Sequence, residues 1–253
     1  MSEITVVIPN YNGMKYLAEC MTSLCREQQN APGYEVLIID NASVDGSVEY
    51  LQKEWCGEGV RLISLPENTG FCHAVNLGIR EAKTPYVILL NNDTKAEAGF
   101  VRGLYDAIRE NEKIFSVSAK MLMWDRPELI DDAGDRYCVL GWAYSRGKGR
   151  PAADYDKSVP VFSACGGAAI YRRSVFEEIG YFDEEHFAYL EDIDVGYRAR
   201  IAGYDNIYCP AALVWHVGSG MNRRRLCCIM AVLPRDPDTI PGKRYLRLPT
   251  VFM

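Results

Sequence analysis

The stretch Tyr86-Val87-Ile88-Leu89-Leu90-Asn91-Asn92-Asp93-Thr94 passes from an unbroken apolar segment straight into two amides and a carboxylate. A segment apolar at every position fits a strand covered on both faces, as in a parallel sheet. A carboxylate at the end of such a strand is costly unless it is solvated, paired or bound to metal. The pattern recurs upstream. Ile4–Ile8 is rich in β-branched residues and closed by Pro9, and Val36–Ile39 is closed by Asp40. Val60–Leu65 leads into Pro66-Glu67-Asn68-Thr69-Gly70. Between these runs, apolar residues recur at helical spacing: Leu17, Met21 and Leu24; Val48, Leu51 and Trp55; Val75, Ile79 and Ala82. A further helix is expected over Glu97–Asn111.

Alternating strands and helices predict right-handed crossovers and a parallel sheet with helices on both faces. Ligands of such sheets bind beyond the carboxyl ends of the strands. The loops at those ends are Pro9–Gly13, Asp40–Asp45, Asn68–Phe71 and Asn91–Thr94, rich in Asn, Asp and Gly. The second half is less regular. Trp124–Pro160 reads as loops and hairpins covering the site. Ser163–Tyr171, which contains Gly166-Gly167-Ala168, is strand-like with room for a close backbone approach. Helices are expected over Arg173–Ile179, stopped by Gly180, and over Ile193–Ala202, stopped by Gly203. Ile207–Cys209 and Ala212–Trp215 read as two short strands.

Composition bounds the function. A length of 253 residues allows one large domain or two small ones, and 48% apolar with 25% charged residues is an ordinary globular profile. Lysine and arginine number 28 against 34 acidic residues, a net charge of −6. That balance lacks the basic surface of a nucleic-acid binder, so no nucleic-acid partner is expected. No apolar run approaches the roughly 20 residues of a membrane span. Met1-Ser2-Glu3-Ile4-Thr5 is not a secretory signal, and a cytoplasmic location is expected. The nine cysteines include no C-x-x-C pair and read as reduced thiols. From Met221 the character changes: Arg223-Arg224-Arg225 opens a stretch broken by Pro234, Pro237, Pro241 and Pro249. It reads either as a basic, weakly structured tail or as a membrane-surface or partner contact through Arg223–Arg225 and Lys243–Arg247.

Each polar cluster has two readings. Asp93, with Asn91 two positions earlier, offers oxygen ligands to Mg²⁺ or Mn²⁺, or else caps a helix. Asp40 either accepts hydrogen bonds from a base or ribose or makes a turn. Glu191-Asp192-Ile193-Asp194 either complements a helix dipole or contains a general base whose pKa its neighbours raise. His216 is structural, or a metal or phosphate contact.

Their order is more specific than any one of them. Pro9–Gly13, Ile38–Gly46, Glu67–Phe71 with Asn76, Leu89–Thr94, Gly166–Ala168, Glu191–Asp194 and His216 follow one another in a single chain. This order resembles the family 2 inverting glycosyltransferases, in particular their rhamnosyltransferase-like branch, over residues 4 to about 220. The resemblance implies an α/β fold of the GT-A type. Its mostly parallel central sheet is flanked by helices, and a nucleotide-binding half (about residues 1–120) is continuous with an acceptor half (121–220). Residues 221–253 stand apart as the atypical tail. By resemblance, Pro9 and Asn12 lie against the nucleotide, Asp40 reads uracil or thymine, and Asn68, Gly70 and Asn76 lie beside the nucleotide. Asn91 and Asp93 stand in place of a D-x-D motif, with Asp93 as the metal's carboxylate. Gly166 and Gly167 line the donor sugar. Asp192 is the base, Glu191 its companion, and His216 contacts metal or diphosphate. The implied partners are a dTDP- or UDP-linked sugar donor, a divalent metal, and a cell-surface polysaccharide or lipid-linked oligosaccharide acceptor. Such acceptors imply peripheral contact with the inner membrane surface.

The chain departs from the family pattern in two places. The motif reads Asn91-Asn92-Asp93, which leaves one secure carboxylate, and the tail lacks the helical, aromatic segment that follows the late His in relatives. A degenerate relative that binds sugar nucleotides without turning them over, and a nucleotidyltransferase, are the competing readings. A nicotinamide oxidoreductase would need G-x-G-x-x-G after the first strand, where this chain has Pro9-Asn10-Tyr11-Asn12-Gly13.

Overall fold

A computed structural model describes residues 2–25, 30–138, 140–186 and 189–218. The tail from Met221, with its two readings, lies outside these residues. In chain order the elements are β1 (Ile4–Asn10), α1 (Met14–Cys25), β2 (Tyr34–Asp40), α2 (Ser47–Glu54), β3 (Val60–Ser64), α3 (Gly70–Glu81) and β4 (Tyr86–Leu90). Then come β5 (Thr94–Ala96), α4 (Phe100–Arg109), β6 (Ile114–Met123), β7 (Arg126–Asp132), β8 (Asp135–Tyr137) and β9 (Ala143–Ser145). The last are β10 (Val159–Val161), β11 (Ala168–Arg172), α5 (Arg173–Ile179), α6 (Glu191–Ile201) and β12 (Asp205–His216).

The first four strands form the parallel half, in the order β3-β2-β1-β4. Strand periodicity explains why β4 is apolar throughout. Ile88 and Leu90 point into a core shared with Ile8, Leu17, Met21 and Phe100, while Val87 and Leu89 point into a second core with Val7, Val75, Ile79 and Phe176. Pro9 lies within β1 but past Val7, the last residue paired with β4, where a missing N–H costs least.

Beyond β4 the sheet turns mixed. Strand β11 runs antiparallel between β4 and β6, and β12 lies parallel to β6. The sheet therefore runs unbroken from β3 to β10 and ties the two halves together. Ten-residue β6, unassigned from sequence, sits inside it.

Local expectations shift where long-range pairing intervenes. The helix expected from Glu97 begins at Phe100, because the Glu97 N–H donates to Leu213 O and Thr94–Ala96 pairs with β12. The two short strands near the end are one strand, kinked between Cys209 and Leu213 around Pro210. Of Ser163–Tyr171, only the part from Ala168 onward is strand. Hairpins do occupy much of 124–160: β7 returns along β6, and β8 and β9 form a small separate sheet. Among the described residues seven cysteines are free, and no helix is long and apolar enough to cross a membrane.

Helix α3 seats closely on β1. A Cβ on Gly78 would lie 2.3 Å from Val7 Cγ1, deep in the core. Overpacking at such a point costs about 1–3 kcal/mol, more than the roughly 0.5–1 kcal/mol that alanine gains over glycine in a helix. Gly78→Ala is expected to lower the urea midpoint, and adding Val7→Ala to recover part of the loss.

Candidate active site

Three of the strand-end loops meet in one polar junction. Asn10 Nδ2 donates to Asp40 Oδ1 at 2.7 Å and to Ser43 Oγ at 3.1 Å. Its Oδ1 accepts from Asn92 Nδ2 at 2.6 Å. Asp40 Oδ2 takes the Ser43 N–H at 2.9 Å, so both oxygens of this 1% exposed carboxylate are engaged. Asn12 is stitched to the same turn: its N–H donates to Ser43 Oγ and its Oδ1 accepts from the Val44 N–H, both at 2.9 Å. Gly13 fits here because it lacks a side chain; a Cβ would fall 2.0 Å from Asn92 Nδ2. The fourth loop joins through Asn41, whose Nδ2 donates to Gly70 O and whose Oδ1 accepts from Thr69. Asn68 Oδ1 accepts the Gly70 N–H at 3.0 Å and turns the chain into α3, where Gly70 has φ +86°.

Asn76 is used differently from its neighbours in sequence. Its Nδ2 donates to Phe182 O and Glu184 Oε1, and its Oδ1 accepts the Phe182 N–H. The amide is thus committed to the 182–184 segment. Hydrogen bonds from Asn76 and His73 outweigh burial and hold the Glu184 carboxyl below its ordinary range.

Asp93 and His216 meet at the end of the sheet because β5 pairs with β12 and the Val217 N–H donates to Asp93 O. His216 Nε2 lies 3.3 Å from Asp93 Oδ1, and Nδ1 lies 2.8 Å from Asp131 Oδ2. Lys148 Nζ is 2.8 Å from the other Asp131 oxygen. Burial alone would depress the His216 pKa, but its bonds to Asp131 and Asp93 hold it up at about 9. Asp131 is pulled below the usual carboxylate range by His216 and Lys148, against the effect of its burial. Among the described residues no three His, Cys, Asp or Glu side chains converge as a metal cage. A lone carboxylate such as Asp93 suits Mg²⁺ or Mn²⁺ held jointly with substrate phosphates, as such ions commonly are. Asn91 contributes its backbone instead: its N–H donates to Gly167 O at 2.9 Å.

Asp192 and Glu191 open α6. Leu190, at φ 69°, turns the chain so that both carboxyls face inward. Asp192 Oδ1 accepts the Ile193 N–H at 2.8 Å, and Oδ2 lies 3.5 Å from the Gly166 N–H. Glu191 is 7% exposed, and its Oε2 has no hydrogen-bond partner among the described residues. Burial first, then the Asp192 charge, pushes its pKa to about 8; burial also raises Asp192. Both carboxyls of the pair therefore bind a proton more readily than free carboxylates do. Gly166 and Gly167 border this pocket: a Cβ on Gly166 would come within 4.0 Å of Glu191 Oε1, and one on Gly167 within 3.1 Å of Asn91 Nδ2.

Sequence reasoning missed Asp131, Asp132 and Asp135. Their signal was the acidic run Asp131-Asp132-Ala133-Gly134-Asp135 inside a segment read only as cover. Asp132, pushed up to about 6 by burial, accepts from Ser145 Oγ and the Gly134 N–H. Asp135 sits beside Ser163 and is raised well above its ordinary value by burial, then by Asp132 and Asp192.

Two expectations follow. Asn76→Leu strands the Phe182 N–H, a buried donor worth about 1–3 kcal/mol, so hydrogen exchange at Phe182 is expected to accelerate selectively. Glu191 favours the fold while protonated; that contribution is complete below the ordinary glutamate range and is lost as pH rises through about 8. Glu191→Gln removes this titration. The urea midpoint of the parent is expected to fall more steeply between pH 5 and pH 9 than that of the variant; equal slopes would refute the assignment.

The family model described as "Glycosyl transferase family 2" matches residues 5–180. Among curated proteins, the chain is 29% identical over 241 residues to the N-acetylglucosaminyl-diphospho-decaprenol L-rhamnosyltransferase of Mycobacterium tuberculosis (strain CDC 1551 / Oshkosh), covering 84% of this chain and 75% of that protein. It is 21% identical over 213 residues to the poly-beta-1,6-N-acetyl-D-glucosamine synthase of Staphylococcus epidermidis, covering 84% of this chain and 49% of that enzyme. Among solved structures, GalNAc-T7 with UDP, GalNAc and Mn²⁺ superimposes with a TM-score of 0.69 at 18% identity, over 85% of this chain and 44% of that one. The mannosyltransferase PcManGT from Pyrobaculum calidifontis, in complex with GDP-Man and Mn²⁺, gives 0.63 at 18% identity, over 88% and 58%. The fold is accordingly that of the GT-A glycosyltransferases, and the chain belongs to glycosyl transferase family 2.

Proposed function

We propose that this glycosyltransferase moves a sugar from a dTDP- or UDP-linked donor to a hydroxyl of a lipid-linked or cell-surface glycan, with inversion at the anomeric carbon. The observation that carries the reading is the Asp192–Glu191 pair. It is a pair of buried carboxyls whose proton affinity burial raises, packed against the Gly166 amide at the end of the sheet where Asp93 and His216 also converge. L-rhamnose as the sugar and a polyprenol-diphosphate-linked acceptor are supported by the mycobacterial relative's name.

The donor nucleotide rests on the Pro9–Asn12 and Asn68–Gly70 loops, with Asp40 anchoring the junction beneath the base. Asp93 and His216 would hold a divalent metal beside the diphosphate, a reading supported by the Mn²⁺ in the names of both solved neighbours. When bound, that ion offsets the charge that builds on the leaving diphosphate. Asp192 accepts the proton of the acceptor hydroxyl as its oxygen bonds to the anomeric carbon, on the face opposite the diphosphate. The carbon–oxygen bond to the diphosphate breaks in the same displacement, so the anomeric centre inverts once. Burial, and for Glu191 the neighbouring Asp192 charge, raises the proton affinity of the pair, which suits it to take up the hydroxyl proton.

General-base catalysis typically contributes 10²–10⁴-fold. Asp192→Asn is expected to lower kcat by about that range while binding UDP or dTDP as the parent does. The measurement is nucleotide release across a panel of UDP-, dTDP- and GDP-sugars with Mn²⁺ or Mg²⁺. Full activity in Asp192→Asn would remove the base assignment, and nucleotide binding without release for every donor and acceptor would remove the enzymatic reading.

A further inference from the structure

His216 is held from both sides, and only one side belongs to the site proposed above. Strand β6 explains how. At its end it pairs with β12 on one side, matching His216 to Met123, and with β7 on the other, matching Asp132 to Met121. The ends of β12 and β7 thus flank one strand, within side-chain reach of each other. Asp131, at the end of β7, closes that gap with a 2.8 Å contact to His216 Nδ1. Lys148 Nζ reaches the remaining Asp131 oxygen at 2.8 Å from the turn that follows β9. The result is a line of contacts, Lys148–Asp131–His216–Asp93, in which the Asp131 and His216 side chains are 11% and 13% exposed.

An imidazole that ligates a metal through one nitrogen needs its other N–H satisfied, because that second bond fixes both the tautomer and the ring orientation. We propose that Asp131, anchored by Lys148, is the positioning residue that locks His216 with Nδ1–H donated to Asp131 and Nε2 directed at Asp93 and the divalent ion. This rests on the metal reading of Asp93 and His216. Asp131 is not itself a ligand in this arrangement: one of its oxygens serves His216 and the other Lys148. The hairpin region over 126–150, which reads from sequence as cover, thereby becomes the outer wall of the metal site. Lys148 sits between Gly147 and Gly149, both at positive φ, a backbone shape that suits a loop required to present one side chain inward.

The test is Mn²⁺ binding to the full chain, followed by electron paramagnetic resonance of the free ion, alone and with UDP or dTDP. Outer-shell carboxylates typically contribute 10–100-fold in metal affinity. Asp131→Asn, nearly isosteric, is expected to weaken nucleotide-dependent Mn²⁺ binding by about that factor, and Lys148→Met by a smaller one. Unchanged Mn²⁺ affinity in a folded Asp131→Asn overturns the proposal. A measurement on the unmutated chain needs no variant to fold: ¹⁵N NMR of His216 with Mg²⁺ and UDP or dTDP. The Nδ1–H tautomer is expected, and the Nε2–H tautomer overturns the proposal. If the parent shows no nucleotide-dependent Mn²⁺ binding, or His216→Ala leaves that binding intact, the metal reading itself falls and the positioning role falls with it.

Discussion

Burial of β4 on both faces is the constraint on which the rest of the molecule depends. Val87 and Leu89 fill one core and Ile88 and Leu90 the other, so the strand cannot slip by a residue without exchanging its two faces. That fixes where the apolar run must stop. At Asn91 the backbone is caught by Gly167, Asn92 turns back to Asn10, and Asp93 is delivered to His216. The polar site is where the central strand runs out of hydrophobic cover.

What gathers there is electrostatically costly. Asp132, Asp135, Glu191 and Asp192 are crowded at the end of one sheet, and burying several like charges together is strongly unfavourable. The structure answers in two ways. Asp131 is held below its ordinary range by His216 and Lys148, while burial and the Asp192 charge push Glu191 up to about 8. Environments that push neighbouring carboxyls apart in pKa are how one fold provides an acid and a base at the same pH. The orphaned Glu191 oxygen is thus a local cost to stability at the point where the proposed chemistry needs one basic carboxylate rather than two.

The first half was legible because its signals are local. Four apolar runs, each ended by Asn, Asp or Pro, mark strands whose carboxyl ends must lie together if the connections are right-handed crossovers. Asp40, Asn68 and Asp93 were singled out that way; Asp192 came from the acidic block ahead of a helix and His216 from the end of a later short strand. The contacts that tie Asp40 to Asn10, and Asn76 to residues 182–184, could not be read locally, because a polar side chain reads alike whatever it will meet. Strand β6 escaped notice because Ser116, Ser118 and Lys120 break its apolar pattern, and their partners lie far along the chain. The union of two short strands into β12 across Pro210 is likewise set by pairing with β6 rather than by the residues between.

By itself, the sequence determined the parallel half of the sheet, the polar identity of its strand ends and the order of motifs that marks the family. Each of these is carried by residues within a few positions of one another. Only the tertiary structure decided that Asp131, Asp132 and Asp135 join Asp93, Glu191 and Asp192 at one end of the molecule, and that His216 stands between two carboxylates. Those contacts join residues separated by scores of positions. Hydrogen bonds, desolvation and like-charge repulsion act over a few ångströms of space, and only the paired strands bring such residues that close.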